Sequence, residues 1–283
     1  MKVLVTGYAG QLGWDTVHQL ETRGVEVRGV DIQDFSLTDA SAVMDYVREY
    51  HPDAIVHCAA YTNVDKAESE PEICANVNGM GTLNMVRAAL NVGAKMVFIS
   101  TDYVFPGTGD QPYKVDDPYG PLNVYGMSKV QGEDAVRSLM IRYFILRTSW
   151  VFGKNGRNFV STMLKLGAEK KEIHVVDDQI GSPTYTQDLA RVICDLLPTE
   201  KYGIYHVRNE GYMSWFDFAT MIMEKAGLPC RVLPVHSAGY PTPAKRPLNS
   251  RLDGSSLAEA GIKPMPSVED ALVRYLREIG NEQ

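Results

Sequence analysis

The chain is sparing with cysteine and has no excess of basic charge, no long apolar run and no low-complexity tract. Four cysteines, Cys58, Cys74, Cys194 and Cys230, are scattered over 283 residues without a CxxC pair. That argues against a disulfide framework and suits buried free thiols in a reducing cytoplasm. The six histidines show no HExxH or clustered ligand spacing, so no structural zinc site is expected. Lys plus Arg number 28 against 35 Asp plus Glu, for a net charge of −7. Without a basic run, the chain is expected to bind neither nucleic acid nor an anionic membrane. No apolar stretch approaches the ~18 residues of a membrane span. The opening MKVLVTG runs straight into glycine, without the hydrophobic core of a signal peptide. The expectation is a cytoplasmic globular chain, long enough for one large domain or two closely joined ones.

Periodicity supplies the architecture. Short β-branched runs at Lys2–Thr6, Glu26–Asp31, Ala54–Cys58 and Lys95–Ser100 alternate with helical patterns. One helix is predicted from the glycine turn to Gly24. A second has Thr38 as N-cap and stops before Pro52. A third spans Glu72–Asn91 and stops at Gly93. Such alternation requires parallel strands joined by right-handed crossovers, hence a Rossmann-like doubly wound α/β sheet. The Gly/Pro-rich stretch Phe105–Leu122 reads as a binding loop. Beyond it come a helix over Tyr125–Leu139, a strand over Tyr143–Arg147, and helices at Phe159–Ala168, Gln187–Leu196, Trp215–Ala226 and Ser267–Ile279. Residues 1–152 are expected to bind a dinucleotide, with a return segment near 185–200. Residues 153–283 read as a smaller, interleaved α/β substrate-binding region.

The turn Gly7-Tyr8-Ala9-Gly10-Gln11-Leu12-Gly13 is GxxGxxG between a strand and a helix. Glycines there permit a tight turn, close approach to a pyrophosphate and helix–sheet contact, and the helix N-terminus attracts the anion. Asp31 ends the second strand near the ~20-residue spacing of a ribose-binding acid. Its carboxylate would accept from the adenosine 2′- and 3′-hydroxyls and repel a 2′-phosphate, which leans toward NADH; a strand-end turn acid is the alternative. Ala59 and Ala60 follow the third strand, small enough either for cofactor approach or for plain sheet packing.

Tyr125 and Lys129 are spaced YxxxK on a predicted helix, so both side chains share one face. A phenol of ordinary pKa ~10 needs a neighbouring ammonium to act as an acid/base near neutrality. Ser100-Thr101 brings a hydroxyl to the end of the fourth strand. The carboxyl ends of parallel strands are where such groups converge.

These motifs, with STDYVFPGTGDQPY (100–113), PLNVYGMSK (121–129), RTSWVFG (147–153), DDQIGSPT (177–184) and YPTPAKRPLNSRLD (240–253), carry a resemblance. The chain resembles the extended short-chain dehydrogenases/reductases, and within them the dTDP-4-dehydrorhamnose reductases. The resemblance implies NADPH or NADH as cofactor, a nucleotide-sugar substrate and a monomer or homodimer. It implies that Thr101 and Tyr125 hydrogen-bond the C4 carbonyl oxygen of the sugar while Tyr125 delivers the proton. Lys129 would hold the nicotinamide ribose and lower the tyrosine pKa. Gly10, Gln11, Leu12, Asp31, Ile32, Asp34 and Phe35 match cofactor contacts, as do Ala60, Tyr61 and Thr62. Asp102 and Trp150 match sugar-nucleotide contacts, although Trp150 alone would read as a core aromatic. Arg246 suits a pyrophosphate clamp, a solvated surface arginine being the alternative. Some relatives dimerise around Mg²⁺ held by glutamates. Asp15 and Gln187 stand at those positions here, so no metal is expected. Two other functions share much of the motif set: reduction of a different nucleotide-linked 4-ketohexose, and a non-catalytic regulatory subunit of the methionine adenosyltransferase β type.

Overall fold

The computed structural model describes residues 1–280. Its first half runs β1 (Lys2–Thr6), α1 (Gln11–Thr22), β2 (Glu26–Val30), α2 (Ala40–Tyr50) and β3 (Ala54–His57). Next come α3 (Val64–Ser69), α4 (Pro71–Ala75), a π-helical turn at Asn76–Gly81 and α5 (Thr82–Val92). Then β4 (Lys95–Thr101), α6 (Val124–Leu139) and β5 (Tyr143–Thr148) complete the half. These strands and a later one form a six-stranded parallel sheet.

The second half opens with β6 (Val151–Phe152), α7 (Phe159–Glu169), β7 (Glu172–Val176), β8 (Ile180–Gly181), β9 (Thr184–Tyr185) and α8 (Thr186–Leu196). It continues with β10 (Gly203–His206), β11 (Met213–Ser214), α9 (Trp215–Ala226), β12 (Arg231–Val235), α10 (Ser255–Glu259) and α11 (Val268–Gly280). Strand order in the main sheet is β10-β5-β4-β3-β1-β2. The order reverses beside β1, the switch point where a crevice opens at the carboxyl ends of the strands. The remaining strands pair in twos, β7 with β12, β8 with β11 and β6 with β9.

Alternation along the strands divides the core. Val3, Val5, Val56, Val97 and Leu146 pack with α1 and α8 on one face. Leu4, Ile55, Phe98 and Ile145 pack with α2, α5 and α6 on the other. Both faces are covered, as a parallel sheet requires. A separate aromatic core around Phe152, Phe218 and Tyr275 underlies α7, α9 and α11. No helix among the described residues is long and apolar enough to cross a membrane.

Two expectations need correction. The N-cap of α2 is Asp39, whose side chain accepts from the amides of Ser41 and Ala42, and not Thr38. Thr38 instead shares a hydrogen bond with Ser36. The helix expected over Glu72–Asn91 is two α-helices joined through the π turn, with α3 ahead of them. Apolar spacing cannot register one extra residue in a single turn.

Candidate active site

Gly7 has φ +73, and a Cβ there would meet the Ala59 amide nitrogen at 2.7 Å. A Cβ on Gly13 would meet the Gly7 carbonyl oxygen at 2.2 Å. The turn therefore lies against β3 and against its own helix, leaving a cradle in front of α1. Gly10 caps α1 without a side chain, so the first amides remain open to an anion. A cavity of about 320 Å³ lies before them, bounded by Gly7, Gly10, Asp31, Ile32 and Phe35, with Ala59 and Ala60 on the β3 side.

Asp31 also stabilises this turn. One carboxylate oxygen accepts from the Ala9 amide at 2.9 Å and the other from the Ile32 amide at 2.8 Å. Asp34 lies behind it, accepting from the Asp31 amide at 2.8 Å.

A second cleft of about 390 Å³ adjoins the first, with Cys58 and Ala60 bordering both. Gln11, Leu12 and Thr62 line it, together with Thr101, Asp102, Tyr125, Lys129 and Trp150. The strand-end hydroxyl and the YxxxK pair thus meet in one place. Gln11 ties this cleft to the second half of the chain, its Oε1 accepting from the Gly153 amide at 2.8 Å and Asn158 Nδ2 at 3.0 Å.

Electrostatics here follow from burial. Lys129 donates to the Ile99 carbonyl at 2.7 Å and lies over the Phe98 ring. Burial brings its pKa down to about 8, against the opposing pull of Glu133 one turn along α6. Burial raises the Tyr125 phenol well above its ordinary value, and the Asp102 carboxylate raises it further. The family resemblance implies an ammonium that lowers the tyrosine pKa. Here its Nζ is engaged by a strand carbonyl, and Tyr125 keeps its proton, the form an acid must have. Asp102 is itself raised to about 6 by burial, partly offset by the hydroxyls of Ser250 and Thr101. Thr101 Oγ1 donates to Asp102 Oδ1 at 3.0 Å.

Among the described residues, Trp150 is one of two non-glycine residues with positive φ, at 50°. Its ring stacks on Trp215 with centroids 3.6 Å apart and planes within 10°. Sequence spacing marks Trp215 only as the start of a helix; the turn into α9 brings it beside Trp150, where it lines the second cleft. It also borders a third cavity of about 400 Å³ that contains Arg246, Asp65, Tyr103 and Gln179.

Four expected site residues line neither cleft, one of them Asp34, which braces the Asp31 amide from behind. Arg246 belongs to the third cavity, its guanidinium forked onto Asp65 at 3.0 and 2.8 Å. Tyr61 donates its hydroxyl to Glu70 at 2.9 Å. Gly13 is sealed beneath Gly7. Asp15 accepts from Thr186, and Gln187 donates to Glu278 at 2.8 Å, so both positions the resemblance singled out for a metal have protein partners. Elsewhere Asp177, Asp178 and His236 converge, but Asp178 already accepts from the Ser237 hydroxyl at 2.7 Å.

A family model, RmlD substrate binding domain, matches residues 1–281. The chain belongs to this family. It is 45% identical to the spore coat polysaccharide biosynthesis protein SpsK of Bacillus subtilis, over 98% of the chain and 97% of that protein. It is 38% identical to the dTDP-4-dehydrorhamnose reductase of Escherichia coli K12, over 99% of the chain and 98% of the relative. The fold matches the Bacillus anthracis dTDP-4-dehydrorhamnose reductase, solved in complex with NADP, with a TM-score of 0.96 at 44% identity. That alignment covers 98% of this chain and 100% of the other.

Proposed function

We propose that this member of the family reduces the C4 ketone of dTDP-4-dehydro-β-L-rhamnose to give dTDP-L-rhamnose, the last step in making that nucleotide sugar. The supporting observation is the continuity of the two clefts. A glycine cradle with Asp31 opens through Cys58 and Ala60 onto Thr101, Tyr125 and Lys129. A nicotinamide cofactor fits that cradle, where added side-chain atoms would collide with backbone. When bound, NADPH or NADH supplies the hydride that reaches C4.

The chain's own residues handle the oxygen and its proton. Tyr125 holds a proton on its phenol oxygen, because burial and the Asp102 carboxylate both resist its loss. That proton passes to the C4 oxygen as negative charge develops there. Thr101 orients the same oxygen by hydrogen bonding. Lys129, with its pKa near 8, stands close to the point of exchanging its own proton at neutral pH and can help restore the tyrosine. Asp102 and Trp150 contact the sugar nucleotide. The fork of Arg246 turns from Asp65 to the pyrophosphate, a bidentate acceptor of the same geometry.

In this reading residues 1–152, joined by 185–200, hold the cofactor, and 153–283 hold most of the sugar nucleotide. The enzyme works in the cytoplasm, as a monomer or homodimer. A coupled assay offering several nucleotide-linked 4-ketosugars with NADH or NADPH tests the proposal. Turnover fastest with the dTDP-rhamnose precursor is expected. Preference for another 4-ketosugar would reassign the substrate. No turnover with any of them would favour a regulatory subunit.

A further inference from the structure

The π turn at Asn76–Gly81 has a specific result. A π turn inserts one residue into a helix and rotates the residues beyond it, and such turns often occur at functional sites. Here it directs Asn78, 1% exposed, inward between β3 and α6. Its carboxamide takes both backbone groups of a single residue. The Tyr61 amide donates to Asn78 Oδ1 at 2.8 Å, and Asn78 Nδ2 donates to the Tyr61 carbonyl at 3.0 Å. The same Nδ2 donates to Ser128 Oγ at 2.9 Å, and that hydroxyl donates to the Tyr125 carbonyl at 2.7 Å.

The backbone of the π turn is equally constrained. The Asn78 carbonyl accepts from Thr82 Oγ1 at 2.6 Å, and Thr82 shares a hydrogen bond with His57 at the end of β3. Opposite, a Cβ on Gly132 of α6 would meet the Asn78 carbonyl oxygen at 2.9 Å. Helix α6 therefore lies directly against the turn. One amide side chain thus spans the wall bearing Cys58, Ala60 and Thr62 and the helix bearing Tyr125 and Lys129, the two sides of one cleft.

We propose that Asn78 is a positioning residue for the reduction, fixing the separation of the 58–62 wall from the helix of Tyr125 and Lys129. It touches neither reactant. It holds the wall facing the cofactor in register with the proton donor, and small misplacements at a reacting centre are costly. This rests on reading the adjoining cleft as the dinucleotide site.

The test uses the full chain with Asn78→Ala and Asn78→Asp. NADH and NADPH are titrated by fluorescence, steady-state rates are measured with the 4-ketosugar nucleotide, and melting is followed in parallel. Asn78→Ala is expected to weaken cofactor binding and to lower kcat, each about tenfold, equivalent to about 1.4 kcal/mol apiece. The sugar KM should change less than either. Asn78→Asp, isosteric and still able to accept from the Tyr61 amide, should fall between Ala and the parent. A variant that melts earlier but keeps the parent's cofactor affinity and kcat would reduce Asn78 to a structural role.

Amide hydrogen exchange on the parent decides the matter even if both variants fail to fold. The Tyr61 amide should exchange more slowly than its neighbours in the 58–63 segment, and free exchange there would overturn the clamp. A parent that binds neither NADH nor NADPH would instead overturn the dinucleotide reading, whatever the exchange result.

Discussion

Glu133 and Arg147 form a two-pronged ion pair in the interior, Nε to Oε1 at 2.9 Å and Nη2 to Oε2 at 2.7 Å. Glu133 is 0% exposed and Arg147 1%. Ser100 and Tyr119 donate to the remaining lone pairs of the carboxylate at 2.5 and 2.6 Å. The pair joins α6 to β4 and β5 one turn beyond Lys129. Breaking a buried pair leaves a charge without compensation and typically costs ~3–5 kcal/mol. Arg147→Met should therefore lower the unfolding free energy by about that amount. The double variant Arg147→Met/Glu133→Leu should recover part of it. Urea denaturation checks both, and equal losses in the two variants would refute the account.

Tyr125→Phe keeps the ring that packs edge-on against Tyr103 with centroids 5.8 Å apart, but removes the proton. Turnover should fall by roughly 10²–10⁴-fold, the usual worth of a positioned acid. NADH affinity should remain near the parent's. An unchanged kcat would remove Tyr125 from the mechanism.

Asp31 meets the Ala9 amide as well as facing the first cavity. Asp31→Ala should weaken both cofactors by loosening the turn. NADH should suffer more, because NADPH also loses a repelling carboxylate. The ratio of kcat/KM for NADPH to that for NADH should rise; a ratio that stays flat would mean that the acid only braces the loop.

Asp102 rises from 3.8 to about 6 through burial. The folded chain then binds more protons than the unfolded chain between those values, so this group's contribution to stability declines as pH increases through the window. Asp102→Asn should flatten that part of the stability profile and raise stability at pH 7 relative to pH 4. Asp15, also raised to about 6 by burial, should continue to contribute its own slope. Urea midpoints across pH 4–7 test this, with parallel profiles for parent and variant as the contrary result. Weaker sugar-nucleotide binding should accompany the gain.

Asp15 is already engaged by Thr186, and Gln187, a neutral side chain, donates to Glu278 at 2.8 Å. Aspartate is also one methylene shorter than glutamate, and a compact cation needs oxygen ligands near ~2.1 Å. EDTA should change neither the rate nor the gel-filtration volume. Loss of activity restored by Mg²⁺ would contradict this.

Much of the first half was legible because its signals are local. Gly7, Gly10 and Gly13 punctuate one turn, Tyr125 and Lys129 share one helix face, and Asp31 directly follows one strand. Strands β1, β3 and β5 follow from near-continuous burial on both faces. What escaped detection depends on long-range placement. Trp215 acquires a role only when α9 brings it against Trp150, across 65 residues of chain. Asn78 depends on a π turn that apolar spacing does not encode. The two-residue strands β6, β8, β9 and β11 are too short to show a period of two.

Among the described residues, Cys58 and Ala60 alone line both the first cavity and the second cleft. This makes the molecule nearly modular for engineering. On the proposed function, changes around Asp31 and Ile32 should retune dinucleotide choice, and changes around Trp150 and Trp215 should retune sugar choice, with little crosstalk between the two. Cys58 and Ala60 are the exceptions: a larger side chain at either would trade one specificity against the other, making these positions a bottleneck for redesign.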